Sequence, residues 1–163
     1  MSVDEPITNF DFLLGTWRIE NRKLETILPE EERTGWYEFE STAKVRPILG
    51  GAGVIDTYSM PDFPERGEFH GLALRLVNPA TLLWTIWWAA SNGQGRLDAP
   101  VFGRFLNGEG RFTGDDSYDG RRVLVHTRYT EITPTSLRWE QAFSFGLDHP
   151  FETNWVMQFH RLE

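Results

Sequence analysis

The property that most limits what this chain can fold into is an alternation of apolar and polar residues recurring along nearly its whole length. Side chains of a strand point alternately to its two faces, so period-2 patterning marks strands with one face in a core. Ten such segments are predicted, at about 16–26, 35–46, 53–60, 67–77, 82–90, 101–106, 110–115, 121–132, 136–145 and 152–162. Turn chemistry separates them. Asn92-Gly93, Asn107-Gly108 and Asp119-Gly120 are dipeptides that favour type I′ hairpin turns. Gly50-Gly51 permits positive φ before the third strand, and Pro29 to Arg33 reads as a charged loop. Pro61–Arg66 and Gly146–Pro150 read as longer turns able to act as lids.

No stretch of helical period reaches ten residues, and no repeat or linker divides the 163 residues, which are one domain by length. Ten turn-linked strands without a helix layer predict an all-β fold. An antiparallel up-and-down β-barrel is preferred to an open sheet, because closure removes exposed edges. Seven Trp and twelve Phe fit that reading, since aromatic residues favour strands.

Several function classes drop out. A net charge of −8 opposes binding to a phosphate backbone, so no nucleic acid is expected. There is no run of about 18 apolar residues, so no membrane partner is expected. Met1 to Pro6 lacks the basic region and apolar core of a signal peptide, which makes the cytoplasm the expected compartment. Zero Cys removes disulfides and thiolate sites. His70, His126, His149 and His160 are scattered, with no i, i+2 pair, so neither a metal nor another cofactor is expected.

Alternation also assigns faces. In the ninth segment Leu137, Trp139, Gln141 and Phe143 share one side, and in the tenth Trp155, Met157, Phe159 and Arg161 do. Taking the aromatic faces as interior gives a barrel with a modest apolar cavity, the usual character of a small-molecule pocket. The predicted lining is Trp88, Trp139, Gln141, Phe143, Trp155 and Met157, with Arg75 as anchor for an anionic group; Asn21 is a further polar candidate. A buried amide such as Gln141 is either tied to neighbours or offered to a ligand.

Near the N-terminus, Phe10 to Leu14 predicts one helical turn capped by Asn9 and ended by Gly15, followed by Trp17. This Gly-x-Trp opening resembles the start of the calycin superfamily, the lipocalin and fatty-acid-binding type barrels. There the Trp lies across the closed end and stacks on an Arg from the last strands. The resemblance implies that Trp17 and Arg161 form a structural plug with a cation–π contact. A wider likeness runs through Phe10-Asp11-Phe12, Glu20-Asn21-Arg22, Pro47 to Gly51, Gly103-Arg104-Phe105, Trp139 to Ser144 and Asn154 to Met157. In these stretches the chain resembles an uncharacterised bacterial calycin-like family, which implies the fold and no activity. Two relatives fit less well. Nitrobindin-like haem barrels carry Gly-x-Trp-x-Gly-x-Gly, where this chain has Ile19 and Asn21, and His160 falls on the face opposite Met157. Fatty-acid-binding proteins use an Arg-x-Tyr pair, whereas Arg128 and Tyr129 are adjacent and face opposite ways.

Two function classes follow. The first is binding of a small hydrophobic or aromatic molecule in the cavity. The second is a cofactor-independent cyclase, isomerase or lyase with Asp56 or Glu140 as acid–base. Arg75, Arg104 or Arg128 would steady a developing anion. Alternation places Glu140 opposite Trp139, hence outward.

Overall fold

The computed structural model describes residues 6–163. Ten strands follow one another: β1 (Gly15–Leu24), β2 (Trp36–Ile48), β3 (Gly53–Phe63), β4 (Gly67–Val77), β5 (Trp84–Ala90), β6 (Val101–Leu106), β7 (Glu109–Tyr118), β8 (Arg121–Thr130), β9 (Ser136–Ser144) and β10 (Glu152–Arg161). Each pairs antiparallel with its sequence neighbours, and β1 pairs with β10, so the sheet closes on itself. The architecture is a closed, ten-stranded, calycin-like barrel. Among the described residues the only helical pieces are two short 3-10 turns, and no helix is long and apolar enough to cross a membrane.

The period-2 pattern decides the register face by face. Trp17, Ile19 and Asn21 of β1 are buried while Glu20 and Arg22 are exposed, and Phe39, Ser41, Ala43 and Val45 repeat the pattern on β2. A one-residue slip would send each of these sets into water, so every pairing reinforces the next. Asn107 and Asp119 adopt positive φ with their following glycines, as type I′ turns require.

Asn92-Gly93 behaves differently. Gly93 is not in a positive-φ conformation, and residues 91–100 form a loop rather than a tight hairpin. β5 and β6 pair only over Trp84↔Gly103, Thr85↔Phe102 and Ile86↔Val101, and beyond Ile86 they part. The turn expected over Pro61–Arg66 is tighter than its composition suggests. β3 runs on to Phe63 through an irregularity after Met60, and the Arg66 N–H returns to the Phe63 carbonyl at 3.1 Å.

One end of the barrel is stopped from inside. The turn Asp11–Leu13 carries Phe10 and Leu13 into the interior, and the Asn9 side chain accepts the Asp11 N–H at 2.9 Å. The Phe10 ring meets Trp84, Phe105, Phe112 and Tyr129 at 4.9–5.9 Å between centroids. Trp17 is fully buried, donates to the Leu13 carbonyl at 2.7 Å and lies under the Arg161 guanidinium at 4.2 Å. Gly15 has to be glycine here: its φ is +120°, and a Cβ would sit 2.7 Å from an Arg161 nitrogen. β1, β3, β5, β7 and β9 point away from this stopper, so the 25–35, 64–66, 91–100, 119–120 and 145–151 connections gather at the other end.

Candidate functional site

Above the stopper lies a cavity of about 440 Å³, lined mainly by aromatic and aliphatic side chains. Trp88, Trp139, Gln141, Phe143, Trp155 and Met157 all face it, and so does Arg75. Three strands supply the wall opposite Trp88: Val125, Thr127 and Tyr129 from β8, then the β9 and β10 aromatic positions. The Trp88 ring reaches inward because Gly71, on the neighbouring strand, leaves it room. A Cβ at Gly71 would come within 2.2 Å of the indole.

One ring is fixed by a polar tether, and a second packs against it. Trp155 donates its indole N–H to the Asn21 side-chain oxygen at 3.0 Å, and Asn21 donates to the Ser41 hydroxyl at 2.9 Å. Asn21 is thereby used up in holding Trp155 and does not line the cavity. Trp139 then stands edge-on to Trp155 at 5.9 Å. Gln141 donates to Asn154 at 3.0 Å across the irregularity in β10 between Thr153 and Trp155. That irregularity explains why Asn154 is buried although simple alternation turns it outward. Among the described residues the Gln141 carbonyl accepts no hydrogen bond.

The floor of the cavity is polar, and it differs from the expectation. Arg75 is 2% exposed and donates to the Asp56 carboxylate at 2.6 Å; Asp56 is fully buried. The same carboxylate oxygen, Oδ2, accepts the Tyr58 hydroxyl at 2.7 Å, and Arg75 also donates to the Tyr129 hydroxyl at 3.3 Å. The guanidinium rests on the Phe10 ring at 4.7 Å, so the stopper supports the floor directly. Burial pushes the Asp56 carboxyl up, against the pull of Arg75 and the Tyr58 hydrogen bond. Burial alone would lower Arg75, but Asp56, Tyr129 and Tyr58 together outweigh it and hold the guanidinium above its ordinary range. A guanidinium does not shed its proton, and its 2.6 Å contact with Asp56 Oδ2 has the geometry of an ion pair. Arg75 therefore does not present the net positive charge expected of an anion anchor: Asp56 has already neutralised it.

Two tyrosines complete the floor. Burial raises Tyr58 well above the usual phenol range and pushes Tyr129 up to about 12, so both remain protonated. Tyr58 spends its proton on Asp56, whereas Tyr129 accepts from Arg75 and has no acceptor for its own O–H among the described residues. An arginine–tyrosine pairing that adjacent Arg128 and Tyr129 cannot make is thus assembled from β4 and β8. Asp56 Oδ1 and Arg75 Nε lack partners.

The other carboxylate candidate stands outside. Glu140 faces Arg128 at 3.3 Å and Arg138 at 3.7 Å on the outer surface. Arg128 is spent on that pair, and Arg104 lies on the outer face of β6 beside Arg111. Asp56 is close to the cavity without lining it, since Arg75 and Tyr58 present their side chains there instead. His160 is also outward, 3.7 Å from Glu20. Among the described residues no group of three or more His, Asp or Glu could hold a metal ion.

Several lining residues have no counterpart in the sequence-based set, among them Tyr58 and Tyr129 of the floor and one cation, Lys23. Lys23 continues the inward series Trp17, Ile19, Asn21 of β1, and its ammonium lies 5.5 Å from the Trp155 ring centroid. The parity was available; a lysine late in an alternating strand simply reads as solvent-facing. Burial and the nearby Arg66 hold its pKa below the usual lysine range, with Glu65 pulling the other way.

No family model matches the chain, and no curated protein matches it by sequence. In three dimensions it is similar to the solved structure of Rv2717c from M. tuberculosis, at 10% identity and a TM-score of 0.63, covering 94% of this chain and 95% of that one. It is also similar to the S-type phycobiliprotein lyase CPES from Guillardia theta, at 10% identity and a TM-score of 0.54, covering 94% of this chain and 90% of that one. Likeness at this level of identity concerns the fold, and the fold these comparisons support is the closed calycin-like barrel.

Proposed function

We propose that this barrel binds a small molecule with an apolar or aromatic body, admitted at the end opposite Trp17. The observation that carries the reading is the cavity of about 440 Å³, walled by Trp88, Trp139, Phe143, Trp155 and Met157 and left open between diverging strands. An unfilled apolar space of that size forfeits packing that a ligand would restore. Titration with N-phenyl-1-naphthylamine, a neutral aromatic probe, should raise the probe's emission, quench tryptophan fluorescence and raise the melting temperature. At a hundredfold excess over Kd the gain in stability is about 2.7 kcal/mol. No response to this probe or to a broad panel of apolar ligands would count against the reading.

The floor adds a polar preference. With Arg75 and Asp56 neutralising each other, the Tyr129 hydroxyl is the floor's free hydroxyl donor, beside the unpartnered Arg75 Nε, and suits an uncharged acceptor such as a carbonyl. Tyr129→Phe is expected to weaken a ketone-ended ligand by about 1 kcal/mol, roughly fivefold, relative to the matching hydrocarbon. The ratio of the two affinities is the readout, because a general loss of stability moves both together.

The second reading, a cofactor-free lyase or isomerase, draws on the phycobiliprotein lyase among the fold neighbours. Its acid–base candidate has weaker support: Asp56 Oδ2 is engaged twice and Glu140 faces away. Binding is the better supported function.

A further inference from the structure

The cavity floor carries no net charge, which leaves the question of where a charged group on the ligand would go. Lys23 answers it. It faces the cavity from the last turn-ward part of β1, immediately before the 25–35 connection, and so belongs to the mouth. Among the described residues its ammonium makes no hydrogen bond or ion pair. Arg75, the other cation lining the cavity, is bound to Asp56 at 2.6 Å. The seat of Lys23 is built rather than incidental: Ser41 holds Asn21, Asn21 holds the Trp155 indole, and that ring underlies the ammonium at 5.5 Å.

We propose that Lys23 is the anchor for an anionic head group, a carboxylate or sulfonate, on the apolar or aromatic molecule held in the cavity. This rests on the binding function proposed above and narrows its ligand to amphipathic anions. The remaining charges at the mouth set the direction in which the head group lies. Asp98, Asp115 and Asp116 also line the cavity, but Asp115 and Asp116 stand on β7, with β10, β9 and β8 between them and Lys23, whose own charged neighbours are Arg66 and Glu65, one of each sign. These carboxylates repel an anion from their own wall and leave the Lys23 wall as its place. Desolvation acts the same way: burial first, and then Arg66, hold Lys23 below its usual pKa, Glu65 offsets them only in part, and an anion beside the ammonium adds to that offset.

The test uses two probes that share one skeleton. 8-Anilinonaphthalene-1-sulfonate differs from N-phenyl-1-naphthylamine by its sulfonate, and each should displace the other from wild-type protein. Lys23→Met is expected to weaken the sulfonated probe by about tenfold or more while leaving the neutral one within about twofold. Lys23→Arg, which keeps the charge, should restore most of the sulfonate affinity. Added salt should weaken only the sulfonated probe. Melting curves on each variant separate a binding effect from a folding one. The proposal is overturned if Lys23→Met weakens both probes alike or neither, or if wild-type protein takes up the neutral probe and not the sulfonated one. In those cases cavity binding still stands. If neither probe binds, the proposed function itself fails and this inference fails with it.

Discussion

Trp17→Ala is expected to cost the fold about 3–5 kcal/mol, the range for removing a fully buried aromatic side chain. The loss is larger than one ring. Trp17 holds the N-terminal turn through its bond to Leu13, meets Phe159 edge-on at 5.8 Å and supports Arg161. Arg161 in turn donates to the carbonyls of Phe12, Leu14 and Pro134, tying both ends of the chain together. Denaturant titration should show a lower midpoint with little change in slope, the sign of altered stability rather than altered compactness. Where the variant remains folded, affinity for N-phenyl-1-naphthylamine should change little, because the cavity opens at the other end. Lost binding at unchanged stability would place the mouth at Trp17 instead.

The second large effect is expected at the floor. Asp56→Ala removes the counter-charge of a guanidinium that is 2% exposed, and breaking a buried pair on one side costs about 3–5 kcal/mol. Removing both charges is a different experiment. Asp56→Leu combined with Arg75→Met replaces the pair by apolar side chains of similar length, and should recover most of what either single change loses. Chemical denaturation of the two single variants and the double completes the cycle. Single variants that each cost under about 1 kcal/mol would mean that the pair is not charged in the folded state.

Most of the fold was readable in the residues, for a particular reason. Large aromatics at every second position leave no freedom in choosing the inner face, so the sequence alone places Trp139, Gln141 and Phe143. Register then follows strand by strand. The seven residues expected around a ligand do surround one cavity, because each lies on a strand whose face was settled in this way. Their role as ligand contacts is the proposal tested above.

What escaped was whatever depends on contacts between strands. The Asp56–Arg75–Tyr129 cluster joins β3, β4 and β8, and no local pattern announces that the arginine is already paired. The type I′ signal at Asn92-Gly93 failed because β5 and β6 separate after Ile86, leaving the dipeptide within a loop that has its own ends to join. Lys23 is hard to read from the sequence because its side-chain type and its parity point in opposite directions, and in the structure parity wins.

The account turns on one claim, that the apolar space between the stopper and the 91–100 loop takes up a small molecule. Two methionines report on it. Met157 lines the cavity, while Met60 is fully buried in the core beside Phe69 and does not. With methyl-13C methionine and NMR detection, N-phenyl-1-naphthylamine should shift the Met157 resonance strongly and the Met60 resonance little, with Met157→Leu giving the assignment. Saturable probe binding that leaves Met157 unmoved would contradict the account and put the site elsewhere on the barrel.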